Sequence, residues 1–279
     1  MELPVEKSKP KSDLKDYLIL LYGRPKTGKT TLAAQFEDPL FLFFEPGGRS
    51  LSLYQQEITN WKDFKEVILT LKKEKRFKTV VIDTVDSAYE HCMVHVCKEM
   101  GISHPQDEGY GKAWAAVDRE FSTTMSKLGM LKRGVILISH AKDKDVEKPD
   151  GTVKEMTGPS LANQGMKWAD RNADLFAFYH YGSTGKRYIQ VKGNDHIVAG
   201  NRIDGHFLEI NKFYAGESAE ECYKNFINAF NNIKQEDTNG KTRWIKEQDT
   251  KLNRLLPNRK SETTLEGSER RSIKIRTRG

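Results

Sequence analysis

The sequence predicts an α/β fold, a mostly parallel sheet flanked by helices on both faces. Three observations point there. Apolar runs of strand length recur at Asp16–Gly23, Leu40–Pro46, Thr79–Thr84, Gly134–His140, Asp174–Tyr181 and Arg187–Gly193. Strands that are apolar along their whole length are covered on both sides, as in parallel sheets. Segments with helical spacing separate these runs, the alternation of an α/β domain. A glycine-rich turn also joins the first strand directly to a helix.

That turn is the most specific motif in the chain. Gly23-Arg24-Pro25-Lys26-Thr27-Gly28-Lys29-Thr30 matches G-x-x-x-x-G-K-T, with the apolar run Tyr17–Tyr22 before it and Thr31-Leu32-Ala33-Ala34-Gln35-Phe36 opening a helix after it. Strand, loop and helix in that order are the context a phosphate-binding loop requires. Glycines let backbone N–H groups curl around an anion, and the helix turns its positive end toward it. Lys29 is expected to reach the β- and γ-phosphates of a nucleotide, and Thr30 to ligate Mg²⁺. The cofactors implied are ATP and Mg²⁺, with Gly23 to Thr31 lining the pocket.

The second strand, Leu40-Phe41-Leu42-Phe43-Phe44, runs into Glu45 and the turn Pro46-Gly47-Gly48. Ligands collect at the carboxyl ends of parallel strands, so Glu45 is a candidate to orient and deprotonate an attacking water. Trp61, Phe64, Ile68 and Leu71 then recur at helical spacing. Thr79-Val80-Val81-Ile82-Asp83 is an apolar strand ending in an acid, and Asp83 is the expected second Mg²⁺ residue. Thr84 follows it where many NTPases carry a catalytic Glu, so the base must lie elsewhere or be missing.

His91 and His95 lie one helical turn apart, but no Glu follows the first and no third ligand is apparent. A helix with Cys92, Met93, Val96 and Met100 toward the core explains the segment better than zinc does. Trp114, Val117, Phe121, Met125 and Leu128 mark another helix. The strand Gly134–His140 ends in a polar residue on the nucleotide edge, and His140 is positioned to hydrogen-bond a γ-phosphate. Beyond residue 206 there is one more helical pattern, Cys222, Phe226, Phe230 and Ile233.

In this order the motifs GRPKTGKT, FLFFEPGG, VVIDT, GVILISH, a long polar loop, the helix ANQGMKWADRNAD, the strand LFAFYHY and the hairpin KRYIQVKGN resemble the RecA/RadA recombinase core. They are most similar to the small phage-encoded RecA-like ATPases that act as single-strand annealing proteins. The resemblance covers roughly residues 16–200. It implies an ATPase that assembles on single-stranded DNA, with Glu45 as catalytic base and His140 as γ-phosphate sensor where RecA has Gln. It also implies a basic residue from the late hairpin entering the neighbouring subunit's site. Lys192 matches that place; the second lysine RecA carries is Asn194 here, with Lys186 and Arg187 nearby. Two segments would face DNA, 101–112 with Tyr110 between glycines, and 141–160, whose lysines are outnumbered by its acids. Self-association, and contact with a single-strand-binding or other replication protein, follow from the same resemblance.

Composition sets outer bounds. At 279 residues and 37% hydrophobic, the chain can bury one good core. We expect a lysine-rich lead-in over 1–15, the ATPase core over 16–234 and a basic tail over 235–279. The tail holds 12 Lys/Arg against 7 Asp/Glu, so it carries +5 of the chain's net +7. A basic tail suits contact with a polyanion, or it is simply a solvated end. No apolar run reaches the ~18 residues of a membrane span. The N-terminus lacks a secretory hydrophobic segment, and the three cysteines form no C-x-x-C pair. A cytoplasmic protein is expected, in the host cytoplasm if phage-encoded, with no membrane partner.

Overall fold

In the computed structural model, Leu3, residues 5–147 and residues 151–234 are described, and all fall within the compact unit Met1–Ile245. The expected basic tail lies outside the described residues. Sixteen regular elements follow in chain order among those described: β1 (Leu18–Gly23), α1 (Lys29–Ala33), β2 (Pro39–Phe43), β3 (Tyr54–Glu57), α2 (Trp61–Leu71), β4 (Thr79–Asp83), α3 (Val85–Met100), α4 (Lys112–Gly129), β5 (Gly134–Glu147), β6 (Val153–Pro159), α5 (Asn163–Asn172), β7 (Leu175–Tyr181), β8 (Arg187–Gln190), β9 (Gly200–Asn201), β10 (Lys212–Tyr214) and α6 (Ala219–Phe230).

The sheet order is β10-β8-β7-β1-β5-β4-β2-β3. From β7 through β3 every neighbour is parallel, while β8 and β10 extend the sheet antiparallel. Helices cover both faces, as the apolar strands require. On one face Leu20, Val80, Ile82, Val135 and Leu137 pack against Phe64, Ile68, Phe121 and Trp168 from α2, α4 and α5. On the other, Ile19, Leu21, Val81, Ile136 and Ile138 pack with Leu32 of α1 and Phe226 and Phe230 of α6. The second core also takes in Leu14, which is fully buried within the stretch expected as lead-in.

The amphipathic helices are where their spacing put them. In α2 the buried residues are Trp61, Phe64, Ile68 and Leu71, and the Asn60 side chain caps the helix by accepting from the N–H groups of Lys62 and Asp63. In α3 the buried side includes Cys92, His95, Val96 and Cys97, whereas Met100 at the helix end is 39% exposed. In α6 the run stops at Phe230, and Ile233 lies beyond the helix, 52% exposed.

The fourth predicted strand is half of a longer one. It pairs with β1 as far as His140, opposite Gly23, and then continues to Glu147. That extension pairs antiparallel with β6, from Ala141 opposite Pro159 to Glu147 opposite Val153. The segment read as a long polar loop is therefore a β-hairpin rooted at the nucleotide edge. Its alternating Lys-Asp-Lys-Asp sequence has no apolar face, so hydrophobic period could not reveal it. The segment 101–112 likewise holds two short 3-10 turns, with Tyr110 fully exposed at φ 59° between Gly109 and Gly111.

Candidate nucleotide site

The phosphate loop is held by close backbone packing. At Gly23 a Cβ would sit 2.1 Å from the carbonyl oxygen of Tyr179 on β7, so only glycine lets β1 turn into the loop here. Gly28 adopts φ 102°, in the left-handed range that disfavours any side chain. Lys29 is buried and its Nζ donates to the carbonyls of Gly23 and Arg24, at 2.9 and 3.0 Å. The ammonium is thus folded back over its own loop. Burial pulls its pKa below the usual lysine value, while Asp83, Asp86 and Glu45 act in the opposite direction.

Thr30 Oγ1 donates to Asp83 Oδ2 at 2.7 Å, which brings the two expected Mg²⁺ residues together. A hydroxyl and a carboxylate are the hard oxygen donors Mg²⁺ prefers, so this pair fits the ion. Asp83 is 6% exposed, and burial pushes its pKa up; the Thr30 hydrogen bond opposes that shift, and the nearby Glu45 charge adds to it.

Glu45 and His140 meet on the same edge. Glu45 follows β2, accepts from Ser87 Oγ at 3.1 Å, and its Oε1 lies 3.5 Å from His140 Nε2. His140 Nδ1 is buried without a hydrogen-bond partner. The structure therefore gathers Lys29, Thr30, Glu45 and Asp83 at the carboxyl ends of β1, β2 and β4, with His140 midway along β5. Lys192 is different. It lies two residues past the end of β8, the strand that runs antiparallel to β7, and is exposed. Its expected contact was with a neighbouring subunit; within the chain its N–H donates to the Asn211 carbonyl and its own carbonyl accepts from Gln190 Nε2.

Three residues at the site were not foreseen as such. Asp86, in the first turn of α3, accepts from Ser139 Oγ (2.9 Å), the His140 N–H (3.1 Å) and Ser160 Oγ (2.7 Å). It thereby clamps both feet of the β5–β6 hairpin. Ser87 beside it holds Glu45. Arg187, considered only as a basic residue of the late hairpin, has Nη1 3.3 Å from where a Cβ on Gly28 would lie. Its other nitrogen donates to the carbonyls of Gly216 and Glu217, which fixes a guanidinium beside the phosphate loop. No local pattern marks Asp86 or Arg187, since both contacts depend on the order of strands in the sheet. Around His91 and His95, as elsewhere among the described residues, no group of three or more His, Cys, Asp or Glu is placed to hold a metal ion.

The family model described as "AAA domain" matches residues 15–203. The chain belongs to the AAA domain family. In its sheet β5 separates the phosphate-loop strand β1 from the Asp83 strand β4. It is similar to the SPbeta prophage-derived uncharacterized protein YorG of Bacillus subtilis (strain 168), 29% identical over 160 residues. That match covers 54% of this chain and 49% of the relative, so the chain spans about half the relative's length. Among solved structures it is similar to the RadB recombinase, at 18% identity and TM-score 0.38, covering 63% of this chain and 80% of that one. A KaiC-like protein from Pyrococcus horikoshii OT3 gives 16% identity and TM-score 0.40 over 68% of this chain and 83% of that one. Among the described residues, no helix is long and apolar enough to cross a membrane.

Proposed function

We propose that this AAA domain protein is an Mg-ATP-dependent ATPase of the cytoplasm that assembles with copies of itself on single-stranded DNA and promotes recombination or strand annealing. The observation that carries the ATPase half is the convergence of Glu45, His140, Asp83, Thr30 and Lys29 beside one phosphate loop. Backbone N–H groups of the loop and the N-terminus of α1 hold the phosphates. Lys29 leaves its carbonyls for the β- and γ-phosphates. Thr30 and Asp83 would hold Mg²⁺, which supplies charge neutralisation on the phosphate oxygens. Glu45 accepts a proton from a water whose oxygen bonds to the γ-phosphorus as the bond to the β–γ bridging oxygen breaks; ADP and phosphate leave. His140 donates to the γ-phosphate while it is present.

The DNA half is supported by the resemblance to recombinases and by the hairpin rooted at His140. Lys192, in the neighbouring protomer's site, and the basic tail, on the nucleic acid, complete this reading. Steady-state ATP hydrolysis with and without single-stranded DNA tests it: stimulation by DNA supports it, and a flat rate counts against it.

A nucleotide-dependent scaffold that recruits a partner with little turnover is the second reading. Thr84 in place of an acid favours it, as does the engagement of both Glu45 oxygens by Ser87 and His140. Tight ATP binding with negligible phosphate release, DNA present or absent, would select it.

A further inference from the structure

We infer that the basic surface formed by residues 72–78 and 127–133, at the end of the sheet opposite the nucleotide site, binds the phosphate backbone of a nucleic acid. The inference rests on the nucleic-acid reading above and places a contact away from the segments 101–112 and 141–160. The first stretch, Lys72-Lys73-Glu74-Lys75-Arg76-Phe77-Lys78, leads from α2 into β4. The second, Lys127-Leu128-Gly129-Met130-Leu131-Lys132-Arg133, closes α4 and leads into β5. Both strands start here, Thr79 beside Gly134, whereas Asp83 lies at the other end of β4. Together the two stretches hold eight Lys/Arg and one Glu, a net +7. The whole chain is +7 and residues 235–279 are +5, so everything else before residue 235 is net −5. Positive charge is thus gathered at one end of an otherwise acidic body.

The two stretches are tied into one surface. Arg133 reaches across, Nη1 donating to the Phe77 carbonyl at 2.9 Å and Nη2 to the carbonyls of Leu71 and Glu74 at 2.8 and 2.7 Å. The Gly134 N–H donates to the Lys78 carbonyl at 3.0 Å. Glu74, the one acid, is taken up by the Arg76 guanidinium at 3.3 Å and by the N–H groups of Lys75 and Arg76. Lys72, Lys73, Lys75, Lys78, Lys127 and Lys132 are all exposed, and among the described residues none of them has an ion-pair partner. Helix C-termini attract cations, and α2 and α4 both end here. Each helix end offers roughly half a negative charge, so the two together leave most of the +7 unmatched. A recess of about 320 Å³ lies among the lysines, lined by Leu71, Lys72, Lys127, Met130, Leu131 and Lys132.

Six unpaired ammonium groups on one surface suit a chain of phosphates. Each phosphate neutralised releases condensed counterions, and a strand presents its phosphates at regular intervals whatever its sequence. The apolar side chains of Leu71, Met130 and Leu131 offer the recess to a base or sugar between those phosphates. The charge argues against the chain's own tail as occupant, because residues 235–279 carry net +5.

The test is fluorescence anisotropy of labelled oligothymidine with the full chain over a range of salt, with polyglutamate as a second probe. Mg-ATP binding and far-UV circular dichroism, measured in parallel, should be unchanged in every variant, which separates a lost contact from a lost fold. Lys127→Gln with Lys132→Gln should lower the slope of log affinity against log salt by about 1.4 and weaken binding at 0.1 M salt roughly 25-fold. Lys72→Gln alone should lower the slope by about 0.7, and Lys127→Arg with Lys132→Arg should leave it as in wild type. Lys62→Gln with Lys98→Gln removes the same charge from the groove between α2 and α3 and should also leave the slope unchanged. A wild-type slope in the Lys127 and Lys132 glutamine pair, or an equal loss in the Lys62 and Lys98 pair, overturns this surface and leaves the nucleic-acid reading standing. No binding of oligothymidine by the wild-type chain overturns both. If polyglutamate then binds and the Lys127 and Lys132 glutamine pair loses it, the surface belongs to an acidic protein instead.

Discussion

Replacing Glu45 by Gln separates catalysis from binding at this site. The carboxylate is 40% exposed, held by Ser87 at 3.1 Å and set 3.5 Å from His140. Glutamine keeps the shape and an oxygen that accepts from Ser87, so the local packing should survive. What it loses is the ability to take a proton from water. A positioned general base is worth about 10²- to 10⁴-fold, or roughly 3–5 kcal/mol of barrier, and kcat should fall by that factor. Nucleotide affinity should move the other way, if at all. Removing a negative charge near the triphosphate relieves repulsion, and at this exposure solvent screening keeps the gain to about threefold or less. The same change lets Asp83 ionise more readily, since the Glu45 charge is one of the influences raising its pKa. Single-turnover phosphate release and titration with a fluorescent ATP analogue read the two effects separately. Turnover within twofold of wild type would remove Glu45 from the mechanism, and loss of binding would make it a structural residue.

Lys29→Ala should abolish detectable nucleotide binding by the same titration while leaving far-UV circular dichroism unchanged. Asp83→Asn should stabilise the nucleotide-free protein near neutral pH. The buried carboxyl has a raised pKa, so the folded state binds the proton more tightly, and stability falls as pH rises from the ordinary carboxylate range through the raised value. The melting-temperature gain should shrink as pH drops below that range, where both states are protonated. Gly23→Ala puts a methyl 2.1 Å from the Tyr179 carbonyl oxygen, and forcing β1 and β7 apart should cost about 1–3 kcal/mol in urea unfolding. Asp86→Ala removes an acceptor shared by Ser139, His140 and Ser160; at about 1.5–3 kcal/mol for a bond to a charged group, amide exchange in residues 141–147 and 153–160 should quicken before the rest of the sheet.

The parts of this fold that were legible are those whose signal is local. The phosphate loop announces itself because Gly23 and Gly28 answer backbone demands that no other residue meets. The central strands show because burial on both faces leaves them apolar throughout, and α2 and α4 because one face of each is core. What stayed hidden is held by pairing rather than by burial. β3 is Tyr-Gln-Gln-Glu, exposed at every position, and exists because β2 offers it an edge. The β5–β6 hairpin is charged on both sides and depends on its ladder and on cross-strand bonds such as Thr157 Oγ1 to Asp143 at 2.8 Å. Asp86 reads as an ordinary helix N-terminal acid until the topology brings Ser139 and Ser160 to it from 53 and 74 residues away. Arg187 reaches Gly28 because β8 lies two strands from β1, which the order of elements along the chain does not state.

Those hidden contacts bear on how one event at the site reaches the hairpin. β5 is continuous from the sheet into the hairpin, and His140 is its last residue paired with β1. Asp86 fastens the strand there, through Ser139 and the His140 N–H, and fastens the returning strand through Ser160. A second tie runs from the loop itself, since Arg24 is ion-paired with Asp143 on the hairpin and its Nη1 lies 3.5 Å from the Ala141 carbonyl. The hairpin is therefore anchored on one side to the phosphate loop and on the other to the helix that starts just after Asp83. A nucleotide that draws Lys29 off the Gly23 and Arg24 carbonyls acts on the residue that carries the first tie. One that engages His140 acts on the strand that carries the other. Coupling of this kind needs two anchors on a stiff element, because a single anchor would let the hairpin pivot without changing its relation to the sheet. Paired β-strands supply that stiffness where an open loop, the expectation from sequence, would not.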